Sequence, residues 1–167
     1  AVLKNEEILR TAVMFEMGKT YDSTYEDIEA LVNSLNFYPK AMKTHFEKIN
    51  IVDLENTHTH SMVYSPVGVA VAYLAWNFPL LNIAFKIGPS LASGCSIIIK
   101  PSECSPVSAY LLGKILYEIN FPPGVVNILC GDPDEVASTL SKSTIPRLVT
   151  MIGSTNTGKR VIADSSS

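Results

Sequence analysis

The chain has 167 residues, with 13 Lys+Arg against 16 Asp+Glu for a net charge of −3, and it is 47% hydrophobic and only 17% charged. That length buries a core without disulfide staples, and the lack of any basic run excludes a surface that tracks a nucleic-acid backbone. A charged fraction below the usual roughly one quarter predicts much buried surface and a homo-oligomer whose interface masks apolar area.

Three cysteines, an odd number without framework spacing, predict a reducing compartment and so a cytoplasmic protein. The first helix pattern carries acids, which fits neither a signal peptide nor a transit peptide. Residues 61–85 hold no charge, long enough to raise a membrane span. Pro66, Asn77 and Pro79 interrupt the stretch, and its β-branched first half reads as strand, so no membrane contact is predicted.

In chain order, Leu3, Ile8, Leu9, Ala12, Val13 and Phe15 recur near helical spacing over 2–18, and Gly18 supplies a stop. A longer helix over 23–47 carries Ile28, Leu31, Val32 and Leu35 on one stripe, with Pro39 expected to kink or split it. Both helices read as packing elements rather than chemistry. Residues 49–64 read as a hairpin bearing His58 and His60, and an apolar strand follows over 67–75. A Trp76-Asn77-Phe78-Pro79 turn leads into a helix, then a second strand ending at Lys100. Ser105-Pro106 provides a cap and a first-turn proline for a helix to about residue 120. After Pro122-Pro123-Gly124 come a strand over 125–129 and a helix to about 141, opened by Asp132-Pro133-Asp134-Glu135. A strand over 147–152 and a helix after Gly153-Ser154 close the series. Strands alternating with helices predict an α/β fold: a mostly parallel open sheet with flanking helices, over 65–167, preceded by N-terminal helices and a hairpin over 1–64.

In such sheets ligands sit outside the carboxyl ends of the strands, so Asn77, Lys100 and Glu103 are expected on one rim. Gly153-Ser-Thr-Asn-Thr-Gly158-Lys159 nearly spells a phosphate-cradling loop, but Arg160 stands where Ser or Thr would hold magnesium. What remains is a glycine and a serine at a helix N-terminus, a place suited to an anion or simply a turn capped by Ser154. The dinucleotide fingerprint G-x-G-x-x-G is absent. Lys100-Pro101-Ser102-Glu103 offers an ammonium and a carboxylate able to bracket vicinal hydroxyls such as those of ribose, or else a solvated turn. Asn77, read as a polar amide in a dry loop, either donates to a developing oxyanion or caps the following helix or knits the loop. Cys95 and Cys130 border apolar strands and read as small buried residues; Cys104, beside Glu103, is a poor thiolate. His58 and His60 lack the further ligands of a metal site.

Taken in order, Pro66-Val-Gly-Val69, Trp76-Asn77-Phe78-Pro79, Lys86-Ile-Gly-Pro-Ser-Leu-Ala-Ser-Gly94, Lys100-Pro101-Ser102-Glu103 and Gly153-Ser154 resemble the NAD(P)-dependent aldehyde dehydrogenase family. Glu16-Met17-Gly18-Lys19 resembles the end of that family's N-terminal helix, and the similarity is strongest over 63–161. The resemblance implies that Trp76 and Asn77 border the nicotinamide and the aldehyde, with the Asn77 amide steadying the oxyanion. It implies that Lys100 and Glu103 hold the adenosine ribose, that Ser102 of the same turn is a further cofactor contact, and that Gly153 and Ser154 meet the pyrophosphate. Glu103 would repel a 2′-phosphate, so NAD is favoured over NADP. The family's usual glycine-rich turn is reduced here to Gly131 within Cys130-Gly131-Asp132-Pro133-Asp134.

The family's nucleophilic cysteine and general-base glutamate lie beyond the Gly-Ser motif, and no Glu-Leu-Gly-Gly segment occurs in this sequence. The resemblance therefore implies part of an enzyme that oxidises an aldehyde to a carboxylic acid through a cysteine thiohemiacetal, cut at both ends and without the catalytic domain. The alternative is a noncatalytic nucleotide-binding or interaction module on the same fold.

Overall fold

The computed structural model describes residues 1–47, 51–54 and 58–166. A single 3-10 turn, Val2–Asn5, precedes α1 (Glu6–Met17). Gly18 ends α1 in the left-handed region at φ 66°, its N–H bonding to the Met14 carbonyl, a conformation that glycine adopts without a Cβ penalty. Helix α2 (Tyr25–Glu47) runs through Pro39 without a break, so the expected split does not occur. Proline removes one backbone donor. The buried stripe of Ile28 and Leu31, closed over by the next helix of the fold, outweighs that loss. Strands β1 (Ile51–Leu54) and β2 (His58–Ser61) form the expected antiparallel pair, Ile51 opposite Ser61, and the connection at 55–57 lies outside the described residues.

Strands β3 (Ala70–Tyr73), β4 (Ile97–Lys100), β5 (Val126–Ile128) and β6 (Leu148–Met151) form one parallel sheet in the order β5-β4-β3-β6. Helices α3 (Pro79–Ala92), α4 (Val107–Glu118), α5 (Pro133–Lys142) and α6 (Thr155–Ser165) connect or follow them. All four residues of β3 are buried, as expected for a strand covered on both faces. Ala70, Ala72, Ile97 and Ile99 face a core made with α1, α2, α3 and α4. Val71, Tyr73 and Val149 face Ala137 and Leu140 of α5 and Val161 of α6. Strand β3 is shorter than 67–75 because Gly68, at φ 114°, keeps the chain off the ladder. Pairing begins where the Val69 carbonyl accepts from Arg147 N–H at 2.8 Å.

The start of α4 is built differently from its sequence signal, while α3 begins at Pro79 as expected and gains a cap from a distant residue. The Ser105 hydroxyl does not cap α4; it donates to the Trp76 carbonyl at 3.0 Å, and Pro106 makes no side-chain cap. The cap comes from α1: Glu16 accepts from Val107 N–H at 2.7 Å, from Ser108 N–H at 3.1 Å and from the Ser108 hydroxyl. In the same way Asp27 of α2 accepts from the N–H groups of Leu80 and Leu81, both at 3.0 Å, at the start of α3. A carboxylate at a helix N-terminus satisfies free donors and complements the dipole whether it arrives from the same segment or a distant one. Helix α5 starts as its sequence predicts, with Asp132 accepting from Asp134 N–H and Glu135 N–H and Pro133 in the first turn.

Candidate functional site

From β3 the chain winds to β4 and β5 on one side, then crosses back to β6 on the other, with α3 and α4 on one face and α5 and α6 on the opposite face. The carboxyl ends of β3 and β6 therefore flank a topological switch point, where open α/β sheets leave a crevice. A cleft of about 670 Å³ opens there. It is lined by Trp76 and Asn77 beyond β3, by Lys100, Ser102 and Glu103 at the end of β4, and by Gly153 and Ser154 beyond β6. All seven residues expected from the sequence to contact a ligand thus share one cleft. The registers that bring them together pair Tyr73 with Lys100 and Tyr73 with Met151.

The Lys100 side chain is buried, only 6% exposed, with Nζ donating to the Pro101 carbonyl at 3.2 Å and lying 3.6 Å from a Glu103 carboxylate oxygen. Proline at 101 holds the two charged groups on the same turn, so ammonium and carboxylate sit side by side at the cleft wall. Ser102 is buried and its hydroxyl accepts from Cys104 N–H at 3.2 Å, which fixes this turn. Across the cleft, Ser154 is the N-cap of α6, its hydroxyl accepting from Thr157 N–H at 3.2 Å. The capped-turn reading of Gly153-Ser154 is therefore realised, with the α6 N-terminus at the cleft edge. Lys159 lies on α6 and is not among the residues lining the cleft.

Asn77 is exposed, which corrects the expectation of a dry setting: the loop runs along the cleft mouth rather than under the sheet's helices. Its orientation comes from Asn82, a buried residue of α3 that sequence reading passed over. Asn82 Nδ2 donates to the Ala75 carbonyl at 3.1 Å and makes a long 3.5 Å contact with Asn77 Oδ1. With the Asn77 oxygen facing Asn82, its NH₂ is the end left for a ligand. A lone amide inside the otherwise apolar run Leu80-Leu81-Asn82-Ile83 was the available signal.

Four further side chains of the cleft, Tyr73, Ser141, Arg160 and Asp134, were also missed. The Tyr73 hydroxyl meets Ser141 Oγ at 2.8 Å and donates to the Ala137 carbonyl at 3.0 Å, and burial pushes its pKa up. Arg160 of α6 pairs with Asp134 of α5 at 2.6 Å. Cys95 is buried as expected, but Cys130 is exposed, a correction that follows from β5 ending at Ile128 and leaving Cys130 on the loop. Partial burial still raises the Cys130 thiol pKa, against a smaller lowering by Lys100. Cys104 is exposed. Among the described residues no helix is long and apolar enough to cross a membrane, and no cluster of potential metal ligands occurs.

An open four-stranded parallel sheet with flanking helices and a switch-point cleft is the fold of a nucleotide-cofactor domain. The model of the aldehyde dehydrogenase family matches residues 1–167, and the chain belongs to that family. It is 31% identical over 162 residues to a mitochondrial succinate-semialdehyde dehydrogenase of Arabidopsis thaliana, a match spanning 97% of this chain and 30% of the plant enzyme. It is 36% identical over 146 residues to the NADP/NAD-dependent aldehyde dehydrogenase PuuC of Escherichia coli, covering 86% of this chain and 28% of that enzyme. Betaine aldehyde dehydrogenase of Staphylococcus aureus, solved with NAD+, superposes with a TM-score of 0.91 at 28% identity, over 99% of this chain and 33% of that structure. The chain thus spans about a third of the length of these relatives.

Proposed function

We propose that this chain is the cofactor-binding portion of an NAD-dependent aldehyde dehydrogenase and that it contributes the oxyanion-steadying amide, Asn77. The reading rests on one observation: Asn77, Lys100, Glu103 and Ser154 converge on a single cleft from three adjacent parallel strand ends. Lys100 and Glu103 would take the adenosine ribose hydroxyls as donor and acceptor. The free N–H groups of the α6 N-terminus suit a pyrophosphate. NAD, when bound, supplies the hydride acceptor. Asn77 Nδ2 would donate to an aldehyde oxygen as it gains negative charge, an interaction worth roughly 10²–10³ in rate. The nucleophile and the general base would come from outside these residues, and the chain alone is expected to be inactive. Glu103 at the ribose position opposes a 2′-phosphate, so NAD is preferred to NADP. The three unpaired cysteines suit a reducing compartment, the cytoplasm, and exposed Phe15, Tyr117 and Ile162 suit a subunit interface in the whole enzyme.

Titration calorimetry with NAD, NADP and ATP tests the reading. NAD is expected to bind, NADP to bind more weakly, and Glu103→Gln to weaken NAD by about tenfold through loss of a charged acceptor. Folded protein that takes up no NAD, or that binds magnesium-ATP in a manner lost on Lys159→Ala, would overturn it. Aldehyde oxidation by this chain alone, abolished by Cys104→Ala, would overturn the placement of the nucleophile elsewhere.

A further inference from the structure

The loop that carries Asn77 is held by Asp27 of α2 and by Lys19, just beyond the end of α1, in a region that looks purely architectural in the sequence. Asp27 is fully buried, and its two oxygens have separate partners: Oδ1 accepts from Leu80 N–H and Leu81 N–H, while Oδ2 lies 2.9 Å from Lys19 Nζ. The same ammonium sits 3.4 Å from the centroid of the Phe78 ring. Phe78 directly follows Asn77, so one cation is shared between a buried carboxylate and the loop's aromatic side chain. A cation over an aromatic face is attracted to it, more strongly where water is displaced, and the Lys19 side chain is only 16% exposed.

We propose that Lys19 and Asp27 are positioning residues for the Trp76–Pro79 loop, Asp27 fixing the start of α3 through Oδ1 and, through Oδ2, holding Lys19 against Phe78 so that the Asn77 amide faces the cleft. This rests on the role given to Asn77 above. Two further hydrogen bonds hold the first half of the loop: Ser105 donates to the Trp76 carbonyl and Asn82 to the Ala75 carbonyl. Lys19 and Asp27 restrain its second half, at Phe78 and the start of α3. The division of labour between the two carboxylate oxygens makes positioning separable from folding. Asp27→Asn keeps an acceptor for Leu80 and Leu81 but turns an NH₂ toward the Lys19 ammonium, and two donors do not bond. Lys19→Met leaves the α3 cap intact and removes only the cation. Lys19→Arg keeps a cation that stacks on aromatic faces.

Trp76 is the only tryptophan, so its time-resolved fluorescence anisotropy reports the loop directly and needs no cofactor. In the intact chain, Lys19→Met and Asp27→Asn are expected to enlarge the fast local-motion amplitude of Trp76 while far-UV circular dichroism stays at wild type, and Lys19→Arg is expected to restore it. If the loop then holds its binding-competent form a tenth of the time, the apparent Kd for NAD rises about tenfold. Unchanged Trp76 motion in both variants overturns the inference. So does loosening that appears only together with loss of helical signal, which would make the pair a folding element. Absence of NAD binding by the wild-type chain would count against the cofactor reading, while the anisotropy comparison would still decide this one.

Discussion

Gly88→Ala is expected to destabilise the chain, although it places the better helix former inside α3. Helix propensity alone favours alanine by about 1 kcal/mol. At Gly88, however, a Cβ would lie 2.1 Å from Ser34 Oγ, 2.7 Å from Tyr38 Cδ2 and 3.2 Å from the Ser34 carbonyl oxygen, all on α2. The hydroxyl can rotate away, but it then gives up its 2.5 Å hydrogen bond to the Ala84 carbonyl, a loss of about 1 kcal/mol. Rotation does nothing for the tyrosine ring edge or the backbone oxygen, and overpacking of that kind costs about 1–3 kcal/mol. The loss of the hydrogen bond and the gain in propensity roughly cancel, so the overpacking sets a net destabilisation of about 1–3 kcal/mol. Urea unfolding followed by circular dichroism reads it as a fall in midpoint of about 1 M, for a slope typical of small proteins. Ser34→Ala in the Gly88→Ala background is expected to recover only part of the loss, because two of the three close contacts remain. A Gly88→Ala midpoint at or above wild type would refute the close α2–α3 approach.

Three other outcomes follow from the same coordinates. Glu16→Ala removes the acceptor for two backbone N–H groups and a hydroxyl at the start of α4; with cap losses reaching about 2 kcal/mol, thermal unfolding should move down by several degrees. Asp132→Ala removes the α5 cap that accepts from two N–H groups, about 1 kcal/mol, and hydrogen exchange should quicken in the first turn of α5. Burial lowers the Lys86 pKa from 10.5, so below that value the unfolded chain binds the extra proton and stability rises with pH. Burial raises that of Tyr73 above 10.0, so from about that pH the native state keeps a proton the unfolded chain has lost, and stability falls. Lys86→Met should remove the rise and leave the fall in urea midpoints measured across the alkaline range.

The parallel sheet and its cleft were legible because their signals are local. Uncharged runs followed at once by Trp76-Asn77 and by Lys100-Pro101-Ser102-Glu103 mark strand ends, and Asp132-Pro133 marks a helix start that the structure reproduces. What escaped sequence reading depends on contacts across long separations. Ser105-Pro106 reads as a cap, yet Glu16, 91 residues before Val107, does the capping, and Ser105 is diverted to the Trp76 carbonyl. Pro39 reads as a kink or a split, yet the helix is not split: the face of α2 buried against α3 carries it through. Asn77 reads as dry because its neighbours Trp76 and Phe78 are aromatic, but Trp76 is itself 57% exposed at the cleft mouth. Hydropathy of adjacent residues predicts burial only where both faces of an element are covered.

The charges around the cleft bear on the proposed preference for NAD over NADP. Two cations line it, Lys100 and Arg160, against three carboxylates, Glu103, Asp134 and Asp164. Each cation is already engaged, Lys100 with Glu103 at 3.6 Å and Arg160 with Asp134 at 2.6 Å. A 2′-phosphate would therefore have to displace a carboxylate from its partner and then remain near it. A pyrophosphate in the proposed position would not face that demand, since it would meet the backbone N–H groups of the α6 N-terminus, which are neutral donors. Asp134→Asn, by freeing the Arg160 guanidinium, a fork matched to phosphate, should strengthen NADP binding more than NAD binding. Equal change for both cofactors would show that the Asp134–Arg160 pair lies away from the 2′ position, and the proposed NAD preference would then rest on Glu103 alone.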